Sequence, residues 1–186
     1  FVRYLKKVWR RWRLLAERKP DRIWRALSRG ARIPVLRRGG KAMNIFLCGQ
    51  KEFGAAVLRR LVADGHAVAG ACCPLLGSNG GTDRAREAAS VYGVPTAESG
   101  TLRAETLPAG VDLIVCAHSH DFVGAATRRK AVHGAVGYHP SLLPRHRGRD
   151  SVRWTVKMGD AVSGGSVYWL DDRMDAGPLA AQRYCF

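Results

Sequence analysis

Asn44-Ile45-Phe46-Leu47-Cys48-Gly49 reads as a buried strand ending in a glycine turn, and directly after it the apolar period changes. Phe53, Val57 and Leu61 recur every four residues, so a helix is expected over about residues 52–64 with those three inward and Gly65 closing it. The alternation then repeats. Residues 66–73 are expected as a strand, 83–92 as a helix after the glycine-rich loop 77–81, 111–117 as a strand, about 122–132 as a helix, and 135–138 as a short strand. Strands that are apolar throughout belong to sheets covered by helices on both faces. The pattern therefore predicts an α/β fold, a doubly wound, mainly parallel, Rossmann-like sheet, with ligands bound outside the carboxyl ends of its strands. Beyond it, Asp150 or Ser151 is expected to cap a helix through Met158, and residues 165–170 and 179–186 read as two strands joined by the loop 171–177.

With 186 residues and 46% hydrophobic content, the chain supports one core. Charge is unevenly placed. Of the formal +16, residues 1–42 hold fifteen Lys or Arg against Glu17 and Asp21, so +13 lies there and +3 on the remainder. Phe1, Leu5, Val8, Trp12 and Leu15 share one side of a helix that Pro20 ends, and Asp21 could cap a second helix to Ser28. Residues 1–42 are thus expected as a basic, partly helical extension. It is either an exposed arm, including sequence translated upstream of Met43, or a binder of RNA or another anionic surface, with Trp9, Trp12 and Trp24 available for stacking. Residues 43–186 form the expected catalytic domain. Phe1 and the stop directly after a strand-like segment predict a fragment, truncated at the C-terminus.

Cys48, Cys72, Cys73, Cys116 and Cys185 show no Cys-x-x-Cys spacing, and four sit in apolar runs, which fits a reduced, cytoplasmic protein. No run of about 18 apolar residues offers a transmembrane segment. Gly49 and Gly54 do not complete a Gly-x-Gly-x-x-Gly fingerprint, so a nicotinamide cofactor has little support.

Chemistry concentrates in Tyr138-His139-Pro140-Ser141-Leu142-Leu143-Pro144-Arg145-His146-Arg147-Gly148 and in Met174-Asp175-Ala176-Gly177. A histidine at a strand end, followed by a proline-bracketed loop and met by an acid from a later loop, has the parts of a proton-transfer site. These segments resemble the folate-dependent formyltransferases, the family that includes glycinamide ribonucleotide, methionyl-tRNA and sugar-nucleotide formyltransferases. The resemblance runs from Met43 onward. It implies that His139 is the general acid/base, that Asp175 assists it, and that the donor is 10-formyltetrahydrofolate. It further implies that Ser141, Leu142, Leu143 and Pro144 pack against the folate; it does not name the acceptor, for which a small-molecule amine or a sugar nucleotide is expected. Arg147, Gly148 and Gly137 fall at positions expected to meet substrate. Where the family carries an Asn two residues before the His, which helps hold the formyl oxygen, this chain has Gly137. His118, Ser119 and His120, ending the neighbouring strand, are expected to line the folate site and to supply a replacement donor. Two other readings use the same residues. Loss of the Asn would leave a folate- or nucleotide-binding relative without turnover, and His118, His120 and His139, with Asp121 and Asp175, could be ligands of a metal-dependent hydrolase.

Overall fold

The structure is a computed structural model that describes residues 42–185. The expectations for the basic extension, its two helices and its polyanionic partner fall on residues outside those described. The elements run β1 (Asn44–Gly49), α1 (Lys51–Ala63), β2 (Ala67–Cys73), α2 (Arg84–Val91), β3 (Thr96–Glu98), β4 (Leu113–Ala117), α3 (Ala125–Lys130), β5 (Ala135–His139), α4 (Ser151–Lys157), β6 (Ser163–Trp169) and β7 (Leu179–Cys185). The strands form one sheet in the order β3-β2-β1-β4-β5-β6-β7. Pairing is parallel from β3 through β5, while β6 and β7 join antiparallel at the far edge. The α/β expectation holds. Strand order reverses between β1 and β4, so the carboxyl ends of β4 and β5 border the crevice where such sheets bind ligands.

Successive residues of a strand point to opposite faces, and the core divides accordingly. Phe46, Cys48, Cys72 and Ile114 pack with Leu102, Leu107, Val111, Val123 and Ala135 on one face. Leu47, Ala71, Cys73 and Ala117 pack on the other with Ala55 and Leu58 of α1 and Ala85, Ala88 and Ala89 of α2. The buried side of α1 is thus Gly54, Ala55 and Leu58, with Phe53 and Val57 packed at its margin and Leu61 half-buried. Its small residues follow from close approach: a Cβ on Gly54 would lie 2.9 Å from the carbonyl carbon of Gly49 and 3.1 Å from Ala85 Cβ. Gly65, at φ 84°, ends α1 as expected, with His66 N–H donating to Leu61 O at 3.0 Å and Gly65 N–H to Val62 O at 3.0 Å.

Three local expectations are corrected. The helix read over residues 122–132 is limited to Ala125–Lys130, because Gly124 is its extended N-cap and Phe122 stands 76% exposed. Strand β3 was not foreseen, since all three of its residues are exposed and carry no apolar signal. Asp150 precedes α4 in the left-handed region, at φ 62°, and its side chain makes no capping bond. Among the described residues, no helix is long and apolar enough to cross a membrane.

Asp83 ties the starts of α1 and α2 together. It is 1% exposed, caps α2 by accepting from Ala85 N–H at 2.9 Å, and accepts from Lys51 N–H, the first residue of α1, at 3.0 and 2.9 Å. Lys51 is held there in the left-handed region, at φ 55°. Removing the carboxylate deletes a cap and unpairs a second, part-buried donor, so Asp83→Ala is expected to cost about 1–3 kcal/mol of unfolding free energy. Urea unfolding checks this, and a loss below about 1 kcal/mol would assign the joint to other contacts.

Candidate active site

Strand β5 ends on His139, and the antiparallel strand β6 sets what stands beside it. The register places Tyr168 opposite Gly137 and Ser166 opposite His139. Residues directly opposite in a sheet share a face, so Ser166 and Tyr168 project beside 139 and 137. The loop after β6 then returns Asp175, whose backbone sits in the left-handed region at φ 50°. For a non-glycine residue that conformation carries strain and needs fixing by its surroundings.

The fixing bonds are present. Asp175 Oδ2 accepts from Gly148 N–H at 2.7 Å and lies 3.4 Å from His139 Nδ1; Oδ1 accepts from the Tyr168 hydroxyl at 2.5 Å. The 3.4 Å separation is an ion-pair distance, longer than a formed N–H···O bond. On the opposite side of the ring, His139 Nε2 lies 2.8 Å from the His146 carbonyl oxygen. A carbonyl can only accept, so Nε2 carries the hydrogen and Nδ1, facing the carboxylate, is the nitrogen that gains or loses a proton. Both side chains are mostly shielded, at 9% and 13% exposure for His139 and Asp175. The predicted pair therefore meets, with one imidazole nitrogen already committed.

The loop between β5 and α4 is held from several sides. The Ser166 hydroxyl, fully buried, donates to Ser141 O at 2.7 Å and accepts from Leu143 N–H at 3.0 Å and Gln182 Nε2 at 2.9 Å. Gln182 Nε2 also donates to Leu143 O at 2.8 Å, and the Ser141 hydroxyl donates to Arg145 O at 2.6 Å. The Leu143–Pro144 peptide is cis. Further along, Asp160 accepts from Arg145 through Nε at 2.8 Å and Nη2 at 2.5 Å, and pairs with His146 Nε2 at 2.6 Å. Those two partners, Arg145 first, hold the Asp160 carboxyl well below the ordinary carboxylate range. Asp160 thus anchors the residue whose carbonyl fixes His139.

Several predicted residues contribute differently from the expectation. Ser141 and Leu143 are buried and engaged within the loop, whereas Leu142 is half-exposed and Pro144 exposed. Gly148 acts through its backbone on Asp175, and Arg147 is exposed. His118 and His120 are exposed with their rings edge-on at 6.1 Å, and the Ser119 hydroxyl donates to Asp121 Oδ2 at 2.8 Å. Desolvation and the Lys51 charge lower the His118 pKa. Among the described residues none of these three bonds to His139 or Asp175, and no three His, Cys, Asp or Glu side chains are grouped as metal ligands. The three-imidazole arrangement is not formed.

Tyr168, Ser166, Gln182, Asp160 and the His146 carbonyl were not anticipated. The signal for the first two was the alternation Ser166-Val167-Tyr168, which places both on the face of β6 shared with His139. Tyr168 also explains Gly137: a Cβ there would meet Tyr168 Cε1 and Cζ at 3.1 Å and Leu170 Cδ1 at 3.0 Å. Surface grooves of about 550 Å³ beside Arg86 and Thr96, and of about 440 Å³ beside Arg128 and Asp172, include neither His139 nor Asp175.

Residues 84–186 match the formyl transferase family. The chain belongs to that family. Mitochondrial 10-formyltetrahydrofolate dehydrogenase of Mus musculus is 35% identical over 153 residues, an alignment spanning 77% of this chain and 16% of that protein. Methionyl-tRNA formyltransferase of Anaeromyxobacter dehalogenans is 30% identical over 151 residues, spanning 76% of this chain and 48% of that enzyme. The chain thus covers less than half the length of either relative. The crystal structure of phosphoribosylglycinamide formyltransferase from Bacillus halodurans superposes with a TM-score of 0.61 at 20% identity, over 76% of this chain and 79% of that one, which shows a shared fold.

The lowered folded-state pKa of Asp160 fixes the sign of a pH test. Its stabilising contribution is complete above the unfolded value, for which 3.8 is the reference, and is lost as pH falls from there toward the folded value. The stability difference between the wild type and Asp160→Asn is therefore expected to shrink as pH falls below about 4. Denaturant unfolding over a pH series checks this, and a difference that grows in acid would contradict it.

Proposed function

We propose that residues 43–186 are a catalytic domain that transfers the formyl group of 10-formyltetrahydrofolate to an amine, with His139 as general acid/base and Asp175 as its partner. The observation that carries this reading is the 3.4 Å approach of His139 Nδ1 to Asp175 Oδ2 at the carboxyl end of β5. In such a transfer the attacking nitrogen must lose a proton and the leaving nitrogen must gain one. Nδ1 takes the first proton and returns the second, while Nε2 stays on the His146 carbonyl. Asp175 stabilises the imidazolium that exists between the two steps. Shielding strengthens that stabilisation, because the pair acts at lower effective dielectric than it would in water. The donor supplies an activated acyl group; the chain supplies orientation and proton movement.

Membership of the formyl transferase family supports the reaction class, the 10-formyltetrahydrofolate dehydrogenase likeness supports the folate donor, and the methionyl-tRNA formyltransferase likeness supports transfer to an acceptor. Half-exposed Leu142 and exposed Pro144 and Arg147, on the loop that follows His139, are side chains available to meet a folate or an anionic acceptor. One observation favours a second reading, a folate-binding domain without turnover: Gly137 offers no side chain to the formyl oxygen.

An assay of tetrahydrofolate release from 10-formyltetrahydrofolate, with and without an amine panel, separates these readings. Amine-dependent release with a formylated product is expected. Formate release without amine would identify water as the acceptor, and donor binding without release would favour the non-catalytic reading. His139→Ala and Asp175→Ala are each expected to lower turnover by about 10² to 10⁴ while the protein remains folded. Undiminished turnover in either folded variant would reject the assigned role.

A further inference from the structure

The hydroxyl of Tyr168 reaches the active-site carboxylate, and nothing in the proton-transfer account above requires it to. Tyr168 is 9% exposed, and its ring lies where any side chain on Gly137 would project. The hydroxyl has one close acidic partner, Asp175 Oδ1 at 2.5 Å. The other oxygen of that carboxylate faces His139 Nδ1 and holds Gly148 N–H. Tyr168, Asp175 and His139 therefore form a chain from near the end of β6 to the end of β5, with the carboxylate as its centre.

We propose that Tyr168 is a positioning residue for the reaction: its hydroxyl orients Asp175 and draws charge from it, which sets how strongly Asp175 attracts a proton onto His139. The vacancy at Gly137 is the steric condition for this arrangement. The proposal rests on the His139–Asp175 reading of the site and deepens it.

The electrostatic argument has a definite sign. An ionised carboxylate accepts from the phenol and from Gly148 N–H, and both bonds stabilise its negative charge. Removing the phenol hydrogen leaves a shielded Oδ1 without its donor, so the carboxylate concentrates its attraction on the remaining cation, protonated His139. The other groups around the chain are fixed or distant in kind. The His146 carbonyl holds Nε2, and the charges of Cys116 in β4 and Asp171 in the loop act on the Tyr168 hydroxyl. Burial first, and the Asp175 bond second, push the phenol pKa up, which keeps Tyr168 a neutral donor across physiological pH.

Tyr168→Phe keeps the ring over Gly137 and deletes only the hydroxyl. The test is an NMR titration of the His139 imidazole in wild type and Tyr168→Phe, with no donor present, so that it does not depend on turnover. The midpoint is expected to rise in the variant by about half a unit or more. The acidic limb of the pH–rate profile for tetrahydrofolate release should move in the same direction. Gly137→Ala supplies the second arm: its methyl would lie 3.1 Å from the ring, and the ring shift of a few tenths of an ångström that this asks for lengthens the hydroxyl bond to Asp175, so the midpoint should rise there as well. A midpoint unchanged within about 0.2 unit in a folded Tyr168→Phe protein would overturn the proposal, even if activity fell. Should that variant not fold, an unchanged midpoint in Gly137→Ala would overturn it equally. A shifted midpoint without any turnover would uphold the positioning role and count against the reaction proposed above.

Discussion

The antiparallel register of β5 on β6 is the constraint from which the site follows. It sets Gly137 against Tyr168 and His139 against Ser166, so that one strand supplies the imidazole and the other supplies both the loop anchor and the phenol. Strand side chains alternate faces, and a slip of one residue would turn Ser166 and Tyr168 away from β5 together. The site therefore depends on a strand pairing before it depends on any single side-chain contact. Parallel pairing up to β5 opens the crevice at the strand ends, whereas β6 runs back antiparallel and ends beside Ala135, so the loop after it must fold back along the sheet to bring Asp175 to His139.

Rigidity around His139 comes from bonds that each serve two purposes. The Ser166 hydroxyl uses its donor and both acceptor sites on the loop and on Gln182, which binds the 141–148 segment to β6 and β7. Asp160 fixes Arg145 and His146 from outside, and the His146 carbonyl fixes one nitrogen of His139. Gly148 N–H holds Asp175 in its left-handed conformation. The loop expected to contact folate along its whole length thus divides in two. Ser141 and Leu143 face inward and maintain the shape, and Leu142, Pro144 and Arg147 remain toward solvent.

The sheet and the approach of Asp175 to His139 were legible in the chain because each has a signature in the sequence. Apolar runs such as Asn44–Gly49 read as strands covered on both faces, and Gly65 as a helix stop. What escaped reading lacked a local cause. Strand β3 has three exposed residues and exists because Ala71, Cys72 and Cys73 offer an open edge. The inner face of α1 follows small residues because Gly49 and Gly54 nearly touch, a fact of three-dimensional approach rather than of hydrophobic period. Tyr168 and Gly137 are thirty-one positions apart and acquire meaning only through strand register, which residue types alone do not specify. His118, Ser119 and His120 were grouped with the site by their place at a strand end, yet their turn bonds internally.

The central claim is that His139 presents Nδ1 to Asp175 because Nε2 is held by a backbone carbonyl. Long-range ¹H–¹⁵N NMR on the protein with labelled histidine reads this directly. The account predicts that neutral His139 carries its hydrogen on Nε2, with Nδ1 as the nitrogen that changes on protonation. A neutral form protonated at Nδ1 would contradict it, because the nitrogen assigned to proton transfer would already be occupied.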